Sequence, residues 1–594
     1  MSLIVQKFGG TSVADSEKIL AAARRAARTQ QEANHVVVVV SAMGKNTDML
    51  LDLAEQISDR PSAREMDMLL STGEQVSVAL MAMALHSLGH EAISLTGAQI
   101  GINTDSTYTK ARIRSISTER IQRFLDEGNI VIAAGFQGID ENYNITTLGR
   151  GGSDTTAVAL AAVLQADACE IYTDVDGVYT TDPRDLPEAR RVDQISYDEM
   201  LELASLGAGV MHSRSIEFAK KFAVPIHVRS SFTDAVGTMI VAEPDLSTQP
   251  VSGAAMTRNE ARITVLGMPD VPGTSLAIFS RVAERDVSVD MIVQNVGQEG
   301  KADISFTVPR NELPMTVQAV QEAVAALGAA GYNCDDDVAK ISVVGLGMAR
   351  QTGVADKMFR AMADAAVNIH MITTSEIKIS VLVQREQSQR ALRAVHSKFA
   401  LERLPAATGG GERAGATRRP ASDAVDVVTS LRGLDMEELT IDDISLDDRQ
   451  ARVTIRGVPD TPGVAASVFE QVAAAGIFVD MIVQSFGRDG LANLSFTVPQ
   501  DKLKESHRVA KQLTEAFHCG PVTSSPRVAK LSVSGIGLRS HTSVAIRMFK
   551  SLAAADINVE MINTSEIRVN VVVDGEQGEK GLDCLQRAFA DVLR

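Results

Sequence analysis

Tryptophan is missing from this 594-residue sequence, aromatic residues make up only 4% of it, and there are four cysteines. Cys169, Cys334, Cys519 and Cys584 are far apart and form no CxxC or Cys/His spacing, so neither a disulfide framework nor a zinc site is expected, and a reducing, cytoplasmic setting fits. Basic charge is also scarce: 58 Lys and Arg stand against 75 Asp and Glu, a formal net charge of −17. That balance argues against a nucleic-acid partner, which calls for a basic patch or stripe. Apolar runs such as 78–85 fall well short of the roughly 18 residues that read as a membrane span. The opening Met1-Ser-Leu-Ile-Val-Gln-Lys7 has no basic segment followed by an apolar one, so neither export nor a membrane partner is expected. The Walker A pattern GxxxxGK[ST] is absent too, so a nucleotide site has to be built another way.

What the chain does contain is an ordinary globular composition, 45% apolar and 22% charged, over a length that implies roughly three to five folding units. The first 245 residues alternate short apolar runs with helical patterns. Strands are expected at 3–6, 36–41, 92–95, 130–134, 170–173 and 226–228, with helices at 15–28, 66–88 and 153–164. Val36-Val-Val-Val-Val40 reads as a strand covered on both faces, which points to a mainly parallel sheet sandwiched by helices.

The second half is a duplication. At an offset of 190 residues, Arg262-Ile-Thr-Val-Leu-Gly-Met-Pro-Asp-Val-Pro-Gly273 matches Arg452-Val-Thr-Ile-Arg-Gly-Val-Pro-Asp-Thr-Pro-Gly463, Val289-Asp-Met-Ile-Val-Gln294 matches Val479-Asp-Met-Ile-Val-Gln484, and Thr374-Ser-Glu-Ile377 matches Thr564-Ser-Glu-Ile567. Each copy contains a strand, glycine turn, helix and Met-Ile strand twice over, which makes four small βαββαβ modules, expected at 251–330, 331–403, 440–520 and 521–594. The Gly- and Pro-rich stretch 404–425 between the copies reads as a flexible linker.

Three glycine or aspartate clusters end predicted strands, where open α/β sheets bind ligands. Lys7-Phe-Gly-Gly-Thr-Ser12 joins a mobile cation to glycines that let backbone N–H groups approach phosphate oxygens, although such a turn is often structural. Gly149-Arg-Gly-Gly-Ser-Asp154 precedes an apolar helix, whose free N–H groups face whatever binds there. Ser153 or Asp154 is also expected to cap that helix, and Arg150 suits two-pronged recognition of a carboxylate. Thr173-Asp-Val-Asp-Gly-Val-Tyr179 and Thr181-Asp-Pro-Arg184 have turn chemistry, which taken alone more often marks loops than sites.

Taken with Val40-Ser-Ala-Met-Gly44 and Ser71-Thr-Gly-Glu74, and in this order and spacing, these clusters resemble the signatures of the aspartate kinase family. Residues 1–245 resemble an amino-acid kinase domain, and the four modules resemble ACT domains. The resemblance implies an α/β amino-acid kinase fold followed by four α+β ACT domains. It also implies ATP with Mg²⁺ as cofactor, and phosphorylation of the L-aspartate side chain as a first step toward lysine, threonine and methionine. On it, Lys7, Phe8, Gly9, Gly10, Thr173, Asp174, Tyr179, Asp182 and Arg184 would hold ATP. Ser41, Thr47, Glu74, Arg150, Gly151, Gly152 and Ser153 would hold aspartate, Glu74 at its ammonium and Arg150 at its α-carboxylate, with Lys7, Glu74 and Arg150 the catalytic set. No protein ligand is expected for the metal. Where many relatives carry Ala-Lys-Val, this chain has Gly209 within Gly207-Ala-Gly-Val-Met211, so that lysine's phosphate role is expected to be dispensable or to be filled elsewhere, by Arg184 or Lys220.

In the modules, the Pro-Asp-x-Pro-Gly turns suit an amino-acid effector, with N–H groups on its carboxylate and the aspartate on its ammonium. The resemblance implies lysine, threonine or both, held by Asp270, Gly273, Thr274, Ser275, Gln294 and Asn295 and again by Asp460, Gly463, Val464, Ala465, Gln484 and Ser485. Ser375, Glu376, Ser565 and Glu566 are expected to contribute from neighbouring modules. A homodimer joined through edge-to-edge ACT pairing is also expected. Two alternatives stay open: a kinase for another amino acid or nucleotide, and an amino-acid sensor whose kinase domain is dead. A fused homoserine dehydrogenase is not expected, because Gly345-Leu-Gly347 has Arg350 at the third glycine's position.

Overall fold

The computed structural model describes all residues except 208, 245–248, 299, 405–434, 489, 539–542 and 594, and leaves out the side chains of 295–298, 350, 486–488 and 543. Apart from Leu404, the expected linker 404–425 lies outside the described residues.

An eight-stranded sheet forms the first half, in the order Gln194–Ser196, Thr238–Val241, Ile226–Ser230, Ala168–Thr173, Leu3–Phe8, His35–Val40, Ile130–Ala134, Ala92–Leu95. From Ile226–Ser230 to Ala92–Leu95 all pairings are parallel. Its valine run alternates between two cores. Val36, Val38 and Val40 pack with the helices Ser16–Gln31 and Thr72–Ser87, while Val37 and Val39 pack with Gly152–Val163 and Ser213–Phe222. A strand buried on both faces has to be apolar at every position, and this one is.

The helix expected at 66–88 is two helices, Ala63–Leu70 and Thr72–Ser87. At the break the hydroxyls of Ser71 and Thr72 donate back to the carbonyls of Met68 and Leu69, competing with the helix ladder. Residues 63–87 together are long and apolar enough to cross a membrane by composition alone, which shorter uninterrupted runs did not reveal; 56% of the 18-residue apolar window within them is buried inside the protein.

The four modules share one twelve-stranded sheet. The strand Gly253–Pro269 pairs through 253–257 with Lys340–Val344 of the second module and through 260–269 with the first module's Lys301–Pro309. The first module is therefore inserted in the second. Thr440–Pro459 does the same for the third and fourth. Modules then pair across the duplication: the first packs its core on the fourth, and the second on the third, where Ile372 and Thr373 pair with Gln484 and Val483. Strands of all four meet at Met291, Met371, Met481 and Met561. One edge-to-edge pairing between modules, 372–373 with 483–484, is made within the chain.

Candidate active site and effector sites

The central strand Leu3–Phe8 lies between His35–Val40 and Ala168–Thr173, so the turns that follow these strands converge. Ser41 N donates to Phe8 O, Gly44 N to Gly10 O and Gly9 N to Tyr172 O. A Cβ on Gly10 would lie 2.8 Å from the Ala42 carbonyl oxygen, so only glycine fits this approach of two turns. Lys7 Nζ sits 2.5 Å from Asp154 Oδ1, with both side chains about nine-tenths buried. Two of the clusters read from the sequence therefore meet.

The helix Gly152–Val163 begins behind Gly151, whose φ of 71° is left-handed, and it has no side-chain cap. The expectation that Ser153 or Asp154 caps it is not met, because Asp154 is turned to Lys7. Ser153 is buried beneath Gly135. Arg150 is exposed, and among the described residues its guanidinium is unpaired.

Glu74, on Thr72–Ser87, is buried. Its Oε1 accepts from Ala42 N at 3.0 Å, whereas Oε2 has no partner among the described residues. Burial pushes its carboxyl up to about 7, against the opposing pull of the Ala42 N–H. A half-satisfied buried carboxylate of this kind marks a place for a cation. Thr47 lies in the first turn of Asn46–Ile57, directly after the 41–45 turn that Glu74 braces.

The residues expected to hold the nucleotide also come together. Thr173, Asp174, Tyr179, Asp182 and Arg184 line a cavity of about 280 Å³ with Gly177, Val178 and Gly209. Arg184 and Asp182 form a 2.6 Å ion pair at its rim, and Tyr179 Oη donates to Asp176 at 2.6 Å. Of the two cations expected to replace the absent lysine, Arg184 is in the lining, while Lys220 pairs with Asp198 at 2.7 Å.

The residues expected to hold effectors fall at module interfaces. Asp270 Oδ1 accepts from Asn558 Nδ2 at 2.8 Å, Ser275 Oγ donates to Gln294 Oε1, and Gln294 Nε2 donates to the Val559 carbonyl. The duplicate repeats this: Asp460 Oδ1 accepts from Asn368 Nδ2 at 2.8 Å, and Gln484 Nε2 donates to the Ile369 carbonyl. Gly273 and Gly463, at φ of 93° and 96°, open the helices Thr274–Ala283 and Val464–Ala474. Thr274 bonds back to Pro269 O; Val464 and Ser485 are buried and Ala465 lines the cleft at Asp460. Of Asn295 only the backbone is described.

Ser375 and Glu376 do not join these clusters. They line a separate cavity of about 250 Å³ with Gly353, Phe469 and Ile477, and Ser565 and Glu566 line its counterpart with Phe279 and Phe549. Glu376 pairs with Arg568, whereas the Glu566 N–H donates to Glu202 of the first domain. The sequence reading missed Asp154, Asn368 and Asn558. The two asparagines stand at the same 190-residue offset as the other duplicated positions, and that was the available signal.

Glycine turns, a lysine and a helix start at the carboxyl ends of a parallel sheet, joined to paired ligand-sized modules, define a small-molecule phosphotransferase with regulatory domains. The amino acid kinase family model matches residues 2–230, and the ACT domain model matches 263–324, 341–399, 453–517 and 531–589. An aspartate kinase of Stutzerimonas stutzeri is 51% identical over 404 residues, 68% of this chain and 98% of that relative. The solved aspartate kinase from Synechocystis is 41% identical with a TM-score of 0.52, covering 99% of this chain and 98% of its own. Escherichia coli aspartokinase III, solved with aspartate and ADP and also with lysine and aspartate, is 26% identical, with TM-scores of 0.58 and 0.54 over 67% of this chain and 99% of that one. This chain belongs to the aspartate kinase family.

Proposed function

We propose that the protein transfers the terminal phosphoryl group of ATP to the side-chain carboxylate of L-aspartate, and that lysine, threonine or both restrain it through the ACT modules. The observation that carries the reading is Glu74, buried beside the glycine turns with one oxygen unpaired, together with Arg150 exposed at the neighbouring helix start. A carboxylate and a guanidinium so placed suit the ammonium and α-carboxylate of a free amino acid. Ser41, Thr47, Gly151, Gly152 and Ser153 complete that pocket, leaving the substrate's side chain directed at Lys7, Phe8, Gly9 and Gly10.

ATP, with Mg²⁺ held by its phosphate oxygens, supplies the phosphoryl group and part of the charge neutralisation. The glycine N–H groups and Lys7 Nζ stabilise the phosphates, and Thr173, Asp174, Tyr179, Asp182 and Arg184 hold the rest of the nucleotide. No general base is required, because a side-chain carboxylate with a pKa near 4 is already ionised at neutral pH.

On this reading residues 1–245 are catalytic, and 251–403 and 440–594 each make two ACT modules, the first inserted in the second and the third in the fourth. Asp270 and Asp460 hold effector ammonium groups, in keeping with the lysine complex of the E. coli relative. The protein works in the cytoplasm, as a homodimer joined through its ACT modules. The test is an assay with Mg-ATP and L-aspartate in which acyl phosphate is trapped as hydroxamate, alone and with lysine, threonine or both. Hydroxamate suppressed by either amino acid supports the reading. Formation with glutamate but not aspartate overturns the substrate assignment.

A further inference from the structure

Among the described residues the regulatory region meets the catalytic domain at several places, Lys378 and the Glu566 N–H on Glu202 among them, and two of these contacts flank the proposed site. On the nucleotide side, His396 Nε2 of the second module meets Thr180 Oγ1 at 2.9 Å, and Ala254 N donates to Thr180 O at 2.7 Å. On the substrate side the hold comes from the other repeat. Residues 435–439, which lead directly into the shared strand Thr440–Pro459, lie on the catalytic domain with Met436 buried in its core. Met436 N donates to Arg114 O at 3.1 Å, and Lys221 Nζ donates to Glu438 O at 2.7 Å.

Beneath this strap lies Arg214, in the first turn of Ser213–Phe222. Its Nε and Nη2 reach Glu437 Oε2 at 3.1 and 2.5 Å, Nη2 also donates to Ala111 O at 2.6 Å, and Nη1 donates to Leu148 O. Leu148 is the residue before Gly149-Arg150-Gly151-Gly152. That turn has little freedom of its own. A Cβ on Gly149 would sit 2.9 Å from Thr109 O, one on Gly152 would meet Leu148 Cβ and Phe136 at 2.9 Å, and one on Gly151 would lie 2.3 Å from His212 Cβ. His212 and Arg214 stand on the same helix start, so the turn that presents Arg150 is backed by one and tied through Leu148 by the other.

We propose that Arg214 is a positioning residue for aspartate binding: it sets the Gly149–Gly152 turn and relays to it the docking of residues 435–439 of the second regulatory repeat. A rigid guanidinium fork can hold the Leu148 carbonyl, the Ala111 carbonyl and the Glu437 carboxylate at once, which a point charge on a flexible stem cannot. The inference rests on the proposed phosphorylation of aspartate, because it assigns Arg150 to that substrate.

The test uses full-length wild type, Arg214→Gln, Arg214→Lys and Glu437→Gln in the hydroxamate assay, with KM for aspartate and KM for ATP read separately and Tm recorded for each. Arg214→Gln is expected to raise KM for aspartate about tenfold or more while KM for ATP changes by less than about twofold, the separation a general loss of structure would not give. Glu437→Gln is expected to shift KM for aspartate the same way by about three- to fivefold, and Arg214→Lys to recover part of the loss. A wild type inactive on aspartate sinks the functional reading itself. An active wild type, with KM for aspartate unchanged in a folded Arg214→Gln or with both KM values rising together, overturns the positioning role. Should Arg214→Gln not fold, an unchanged KM for aspartate in Glu437→Gln overturns it alone.

Discussion

Lys7 Nζ and Asp154 Oδ1 stand 2.5 Å apart, which fixes the lysine at the glycine turn by a partner that itself begins the helix Gly152–Val163. A buried cation held this way is positioned but not free to wander, and its removal strands a buried carboxylate. Lys7→Met is therefore expected to lower kcat by about 10²- to 10³-fold, the range for removing one preorganised charge-stabilising group. Asp154→Asn, which keeps the lysine but loosens it, is expected to cost about tenfold. Steady-state kinetics at saturating aspartate and ATP check both, and a Lys7→Met enzyme with wild-type kcat would remove Lys7 from the phosphate site.

Glu74 gives a pH signature. Its carboxyl is raised by burial to about 7 from an ordinary 4.5. Because the folded value is the higher one, its stabilising contribution is present below about 4.5 and lost as pH rises through about 7. Glu74→Gln avoids that loss, so its Tm relative to wild type is expected to climb between pH 5 and 8, by the equivalent of roughly 1–3 kcal/mol. Binding runs the opposite way. Only the ionised carboxylate pairs with an ammonium, so KM for aspartate in the wild type is expected to rise as pH falls below about 7, and in Glu74→Gln to be high and flat. A Tm difference that ignores pH would show that Glu74 is solvated.

How much of this was legible in the sequence depended on whether the information was local. The strand turns, Glu74 and the duplication were readable because each is carried by neighbouring residues or by a fixed offset. The partner of Lys7 was not, since an aspartate after a serine reads as a cap until the sheet order brings it beside the first strand. Nor was the fate of Ser375 and Glu376. The 190-residue offset says which residues are equivalent, but not which faces of the modules meet, and the insertion of one module in another through Gly253–Pro269 is set by pairings distant in sequence. Lys220 looked available as a substitute cation until Asp198, one helix away, was seen to hold it.

Two glycines near the site predict opposite outcomes. At Gly151 the φ of 71° disfavours any side chain, and a Cβ would collide with His212 at 2.3 Å. Gly151→Ala is expected to cost about 2–4 kcal/mol, combining backbone strain with overpacking, seen as a lower urea midpoint. At Gly209 a Cβ would meet, among the described residues, only Gly207 O at 3.8 Å, and the residue lines the cavity proposed to hold the nucleotide. Gly209→Lys is expected to fold normally and to lower KM for ATP by about two- to fivefold, adding a cation where phosphates bind. A Gly209→Lys protein that binds ATP more weakly would show that Arg184 already fills that place.

The duplicated clusters proposed to bind effectors are not chemically identical, and this makes them separable. Asp270 is met by Asn558 with Glu560 close enough for its charge to be felt, whereas Asp460 is met by Asn368 with His370 Nδ1 at 3.9 Å. The acid and the histidine occupy equivalent positions of the two repeats. An ammonium bound at either aspartate forms a charge-assisted hydrogen bond worth about 1.5–3 kcal/mol, so Asp270→Ala and Asp460→Ala are each expected to weaken one effector about tenfold or more. Because the clusters lie in different module pairs, first with fourth and second with third, each substitution is expected to leave the other site's intrinsic affinity within about twofold, as distant sites generally do. Calorimetric titration of lysine and of threonine into both variants checks this. If either substitution abolishes binding of both ligands, the two clusters act as one site, and the duplication serves a single switch.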